Sequence, residues 1–229
     1  MKSQQFTAIV IGYVNYGERD RIIRLISSEQ GKLSIIAKNI RSARNKLSGI
    51  LDIGNQIDIT VIPPKSGEIW KLQDVELIEG YGQIHKDIIK LANMNYLCEV
   101  IASLVPIHEP SPKLFGLLQA TLQLLNKSEI PSEALHIGFT AKALAFAGLQ
   151  PQLSCCVHCG KAPSSGMLFQ PVQSGLIHRN CNDQLSPEVK GKAIRISIDW
   201  VHCIQELLHS PLKEQYTRTV KFATNWALA

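Results

Sequence analysis

The stretch SCCVHCGKAPSSGMLFQPVQSGLIHRNC, residues 154 to 181, holds four of the chain's six cysteines and two of its seven histidines within 28 positions. Its usable pattern is Cys156-x2-Cys159, eighteen residues, then His178-x2-Cys181. Two residues between ligands form a tight knuckle that aims both side chains at one point, and Gly160 suits the positive φ such a turn needs. A second pair with the same spacing completes a tetrahedron around one metal ion. Between them GMLFQPVQSGLI reads as a small hairpin that holds the knuckles together.

Cys155 and His158 compete for the same metal. A Cys155-x3-Cys159 pair demands a wider turn, and His158 lies inside the knuckle, where its side chain points away from the ion. The expected ligands are therefore Cys156, Cys159, His178 and Cys181, with Cys155 as the alternative to Cys156. Four such ligands close the shell of a single structural zinc, whereas catalytic zinc keeps a position open for water. No Glu sits in or beside the cluster to act as a general base, which disfavours deaminase or protease chemistry. A thioredoxin-like redox pair needs a strand before the motif and a helix beginning at it, but a helix stop and Pro151 precede this one.

Ligation by thiolates presumes a reducing compartment. MKSQQFTAIVIGYV opens with one Lys before a short apolar run, yet it lacks a small-residue cleavage site and alternates like a strand. No segment approaches the roughly 18 uninterrupted apolar residues that span a bilayer. A cytoplasmic protein is expected, where clustered cysteines more often bind metal than pair as disulfides.

Upstream of the cluster the chain changes grammar once. FTAIVIGYV, RIIRLIS, GKLSIIAK, NQIDITVI and EIWKLQDVELI are β-branched and mostly alternating, which predicts five short strands in about 80 residues and a small barrel of the OB type. From residue 84 to 104 Ile84, Ile88, Leu91, Leu97, Val100, Ile101 and Leu104 recur at helical spacing. Ser111 and Pro112 read as N-cap and first-turn proline of a second helix, and Ser132 as the start of a third that Gly148 and Pro151 stop. Helices resume with ISIDWVHCIQELL and PLKEQYTRTVKFATNWAL. The expected class is α+β: an OB-fold barrel over 1–82, then a helical domain over 83–229 with the zinc element at 153–182.

Charge is uneven along this plan. The net charge is +5, and residues 1–65 hold ten Lys or Arg against five acids while the rest of the chain balances. KNIRSARNKLSG carries Lys38, Arg41, Arg44 and Lys46 with no acid between them, an arm able to follow a phosphate backbone. Arg21, Arg24 and Lys32 on the adjoining strands extend the expected DNA-binding set. Tyr13, Tyr16 and Trp70 are the aromatics available for base stacking or for the core. His85, His108, His136, His202 and His209 are scattered, and Cys98 and Cys203 read as core thiols. With no GxxxxGK[ST], no GxGxxG after a strand and no GxSxG, nucleotide hydrolysis, dinucleotide binding and serine hydrolase chemistry lack their usual supports.

An opening strand followed by YGERD, then SSEQGKLSIIAKNIRSARNKLSGIL, a helical region, and CVHCG with a second ligand pair together resemble the bacterial RecO family of recombination mediators. The likeness runs over essentially the whole chain, and GKLSIIAKNIRSARNKL is its most specific part. Asn39 stands where the family commonly has Gly, and His178 where many zinc-bearing members have Cys; an imidazole keeps the ligand set competent. The resemblance implies a non-enzymatic protein of recombinational repair that binds single- and double-stranded DNA and anneals complementary strands. It further implies work with RecR and the C-terminal tail of SSB to load RecA, in the nucleoid. The residues alone reach a zinc-stabilised nucleic-acid-binding protein. A zinc-ribbon RNA-binding or transcription accessory factor shares those features, while a metal-dependent hydrolase would need clustered acids that are dispersed here.

Overall fold

In the computed structural model, residues 2–42, 47–127 and 132–209 are described. Arg44 and Lys46 of the expected arm, and the expected last helix, lie outside them. The chain divides into two compact units, residues 1–143 and 144–229.

Period-two alternation dictates the first unit. β1 (Gln4–Tyr16) turns Phe6, Ala8 and Val10 inward, β2 (Asp20–Ser27) Ile23 and Leu25, and β3 (Gly31–Ala37) Leu33, Ile35 and Ala37. After α1 (Leu47–Ile50), β4 (Gln56–Ile62) adds Ile57, Ile59 and Val61, and β5 (Ile69–Glu79) adds Trp70 and Val75. The strands close in the order β1-β2-β3-β5-β4, with β3 and β5 parallel and the other pairs antiparallel. This is the five-stranded OB-like barrel that the strand count predicts, and closure leaves no free sheet edge. Fully burying each branched side chain contributes about 1.5–3 kcal/mol.

The segment read only as a basic arm also serves the core: Ile40 and Leu51 are buried in it, with Leu47 and Ile50 packed beside them. Asn39 adopts φ 54, the left-handed conformation that Asn tolerates better than other residues with a Cβ, so it can stand where Gly is common.

Helical spacing takes over after Tyr81, with α2 (Ile88–Leu104), α3 (Pro112–Lys127) and α4 (Ser132–Phe146). α2 begins later than its apolar pattern suggests. A short 3-10 turn occupies Ile84–Lys86, and the Asp87 carboxylate then accepts from the Ile89 and Lys90 amides at 2.8 and 3.2 Å. With that cap in place the buried face is set by Met94, Leu97, Cys98 and Ile101, and Ile88 is 78% exposed. Ser111 directs its hydroxyl to the Glu109 carbonyl rather than into the α3 N-terminus, and α4 ends before Gly148, whose φ is 75.

The chain after α2 runs beside the start of β3: the Lys32 amide donates to Pro106 O and the His108 amide to Lys32 O. Gly31 is required there twice over, by its φ of 60 and because a Cβ would strike the Glu109 backbone. Among the described residues no helix is long and apolar enough to cross a membrane.

In the second unit β6 (Leu168–Gln170) and β7 (Gly175–Ile177) form the expected hairpin. α5 (Arg179–Asn182) and α6 (Pro187–Lys190) follow, then β8 (Ile194–Arg195), which pairs with β6 to give the order β7-β6-β8. α7 (Ile198–His209) closes the described chain.

Candidate metal centre and nucleic-acid interface

The hairpin sets the metal geometry. The Val157 amide donates to Leu176 O at 2.8 Å, which fastens the first knuckle beside β7, and the Gly160 amide donates to Cys156 O at 2.9 Å, which closes the knuckle turn. Gly160 takes the φ of 70 that this closure needs. On the other side His178 directly follows β7, and Cys181 lies three residues on within α5, so both face the same way on one helical turn.

The candidate ligand atoms of Cys156, Cys159, His178 and Cys181 consequently all lie within 4.8 Å of one another, with Cys159 Sγ 3.4 Å from His178 Nδ1. A tetrahedron with zinc–sulfur bonds of about 2.3 Å has sulfur–sulfur edges of about 3.8 Å. Three thiols and an imidazole at this separation can hold one metal ion, and the donor set suits zinc. Cys155 is half-buried outside the group, and His158 Nε2 instead meets Gln184 Oε1 at 3.1 Å.

The site is prepared for anionic sulfur. Burial of Cys156 opposes its thiolate, but the amides of Cys159, His178 and His158, joined by the Cys159 thiol, overcome it and bring the group down to about 6. Cys181 is pushed up to about 11, by desolvation first and then by hydrogen bonds and charge repulsion from Cys159 and Cys156. Thiols that compete for charge in this way are relieved when a cation replaces their protons.

Sequence reasoning missed what steadies this geometry. Gln170, fully buried, donates through Nε2 to Asn182 Oδ1 at 3.1 Å and to Val189 O at 2.9 Å, and Asn182 donates to Lys190 O at 3.3 Å. These amides tie β6 to α5 and α6. Gln170 lies in the apolar run MLFQPV and Asn182 in the polar run HRNCNDQ, and no periodicity marks either.

At one end of the barrel, pairing gathers cations. The Arg41 amide donates to Arg19 O at 3.0 Å, its guanidinium to Glu18 O at 3.1 Å, and the Asn39 amide to the Asp20 carboxylate at 2.8 Å. The turn after β1 and the segment after β3 are thereby bound together. Arg19, Lys38 and Arg41 are exposed there, and Arg21, half-buried, sits 4.1 Å over the Tyr13 ring at the barrel mouth. None of these four cations has a carboxylate partner among the described residues. Arg19 is the member that the sequence did not single out, because only the fold brings it to Arg41.

Arg24 and Lys32 lie elsewhere, on the outer face of β2 and β3, where Lys32 Nζ donates to Ala102 O at 2.6 Å. Of the aromatics, Trp70 is core, Tyr13 packs against the core beneath Arg21, and Tyr16 is exposed.

An OB-like barrel with a basic end, followed by helices and a Cys/His metal element, defines a class of nucleic-acid-associated proteins rather than one member. Comparison narrows it. Residues 1–81 match the family model for the recombination protein O N terminal region and residues 85–210 the one for its C terminal region. The chain belongs to the recombination protein O (RecO) family.

Curated relatives named DNA repair protein RecO include that of Myxococcus xanthus, 29% identical over 90% of this chain and 82% of the relative. That of Anaeromyxobacter dehalogenans is 31% identical over 79% and 71%, and that of Symbiobacterium thermophilum 27% over 91% and 81%.

Proposed function

We propose that this chain is a non-catalytic, cytoplasmic and nucleoid-associated protein of recombinational DNA repair, which binds single- and double-stranded DNA on its barrel and anneals complementary strands. The observation that carries this is the set of cations without carboxylate partners among the described residues, Arg19, Arg21, Lys38 and Arg41, at one barrel end, which continues in sequence into Arg44 and Lys46. Cations that lack acidic partners and are fixed by backbone pairing suit a phosphate chain, because they are already positioned and need shed only counterions. Annealing follows from the same surface: two strands neutralised side by side repel less. One zinc ion, held by Cys156, Cys159, His178 and Cys181, would supply structural cross-linking and no reactive group. RecR, the C-terminal tail of SSB and, through them, RecA are the partners that family membership supports.

The arm provides the test. Each phosphate contact on a single strand contributes a slope of roughly 0.7 in log affinity against log salt. Changing Arg41, Arg44 and Lys46 together to Ala is expected to weaken binding equally for unrelated sequences, to flatten the slope by up to about two units and to slow annealing, with the fold intact. A folded triple variant with unchanged affinity, slope and annealing would overturn the proposal. A marked preference for RNA over DNA of the same sequence would favour an RNA-binding accessory factor instead.

A further inference from the structure

β6 and β7 pair through Leu168 and Ile177, so the residues just before the one strand and just after the other lie side by side at the same end of the hairpin. Gly166, at φ 75, turns the chain towards β6 there, and His178 leads from β7 into α5. Ser164, Ser165 and Gly166 from the first side and His178, Arg179 and Asn180 from the second line a cleft of about 250 Å³. That is several times the roughly 30 Å³ that one water takes up, so a small ion fits.

The lining is rich in donors and contains no acid. Arg179, Asn180 and both serines are exposed, and their side chains have no hydrogen bond or ion pair among the described residues. From residue 134 to residue 182 the sequence has neither Asp nor Glu, and the first acid beyond, Asp183, is already engaged by Lys190 at 2.7 Å. The Arg179 guanidinium therefore has no counterion in its own segment.

A second observation comes from the metal centre. His178 turns Nδ1 to the thiols, 3.4 Å from Cys159 Sγ, which leaves Nε2 as the nitrogen not committed to the metal. A ligating imidazole carries its proton on that other nitrogen and almost always gives it to a carboxylate, a backbone carbonyl or a water. No protein acceptor meets Nε2 among the described residues. The histidine that lacks this outer partner is the one that lines the cleft beside Arg179.

We propose that this cleft is a phosphate site, in which Arg179, Asn180, Ser164 and Ser165 hold one phosphate group and one of its oxygens accepts from His178 Nε2–H. A planar carboxylate is satisfied by the guanidinium fork alone, whereas donors that approach from both sides of a cleft suit the tetrahedral oxygens of phosphate. The inference rests on the zinc reading above and adds to it the outer partner of His178. Anion and metal should consequently each tighten the other, since coupling between two binding sites is reciprocal.

The test compares zinc-loaded wild type with Arg179→Gln and with the double variant Ser164→Ala, Ser165→Ala, using zinc content and melting temperature as fold controls. Inorganic phosphate is titrated while the His178 Nε2–H resonance is followed by proton–nitrogen NMR, and zinc release into excess chelator is timed with and without phosphate. In wild type phosphate should shift the resonance saturably and slow release by about 10-fold, the lower end of what an outer partner contributes. Arg179→Gln should keep its zinc and lose both responses, and the serine variant should need more phosphate for the same shift. A short single strand that reproduces the shift in the triple arm variant would identify the phosphate as part of a nucleic-acid backbone, and a response to inorganic phosphate alone would identify it as the free ion. Acetate at equal ionic strength should do nothing; if it matches phosphate, the phosphate assignment is overturned. If zinc is bound and wild type responds no more than Arg179→Gln, the cleft is no anion site and the zinc reading stands. If no zinc is bound, both fail together.

Discussion

Inside the barrel fifteen hydrophobic residues among those described are buried in one cluster, contributed by every strand and by the segment between β3 and β4. Around the metal element the corresponding cluster has seven buried residues among those described, and one of the seven is Cys156, itself a candidate ligand. The barrel is ordered by withdrawing branched side chains from water. The element has less apolar surface for that, and the metal ion proposed for its Cys/His group would add a cross-link, as in small domains whose core alone cannot offset chain entropy. Its two strands of three residues and one of two would not hold as an isolated sheet. The two regions should therefore fail under different insults.

The largest effect is expected from the metal. One zinc per chain is anticipated, with an apparent binding free energy on the order of 10 kcal/mol for a closed site. Chelation, Cys156→Ser or His178→Ala should abolish the bound zinc and open amides 153–182 to hydrogen exchange while β2 and β3 stay protected. Barrel amides that opened in step with the element would show that the two regions are not separable, and the comparison would break.

The reciprocal insult is a hole in the barrel. Ile35, fully buried on β3, should cost about 2–4 kcal/mol when cut to Ala, through lost transfer energy and the cavity left behind. Denaturant unfolding should shift accordingly while metal analysis still finds one zinc. Loss of zinc in this variant would mean that the element borrows its order from the barrel.

How each region could be foreseen follows from the same difference. Alternation is written in the residues that cause it, so all five barrel strands were legible from their β-branched runs, whereas the inward set was not, because Ile9, Ile11 and Ile26 are buried as well, outside the barrel core. The knuckles were legible because ligand spacing is local. The cation at the barrel end was only half legible: Lys38 and Arg41 stand in an acid-free run, but Arg19 joins them through a backbone bond across 22 positions of sequence. The α2 start was misplaced because Ile84 and Ile88 fit a helical period, and the Asp87 cap between them outweighs that pattern. Gln170 and Asn182 carry no periodic mark, since a buried amide pair is recognised only by its partners.

Acid and base sharpen the comparison further in the metal-free protein. Cys156 in the folded element sits at about 6, below the ordinary 9, so its contribution to stability is complete above pH 9 and is lost as pH falls through 6. Cys181 sits at about 11, so its contribution is complete below pH 9 and is lost as pH rises through 11. Protection factors of residues 153–182, corrected for intrinsic exchange, should rise from pH 6 towards 9 and fall towards 11. The five barrel strands contain no cysteine and should not follow that curve over pH 6 to 9. An element whose protection is flat over the same range would mean that its thiols are not competing for protons.

The smallest effect is expected at Cys155, and its smallness is what makes it informative. Cys155 and Cys156 are neighbours of identical chemistry, so any difference between them comes from position alone. The Cys156 amide donates to Lys161 O at 2.9 Å and its carbonyl accepts from Gly160, which places Cys156 and Cys159 at the two ends of one closed turn. Cys155 lies one residue before that turn, half-exposed and outside the ligand group. Cys155→Ser should leave zinc content and exchange protection unchanged, within about 0.5 kcal/mol, while Cys156→Ser abolishes both. The opposite result, zinc lost with Cys155→Ser and kept with Cys156→Ser, would move the ligand out of the buried cluster. The element's core and its metal would then be separate supports, and it would no longer differ from the barrel in the way proposed.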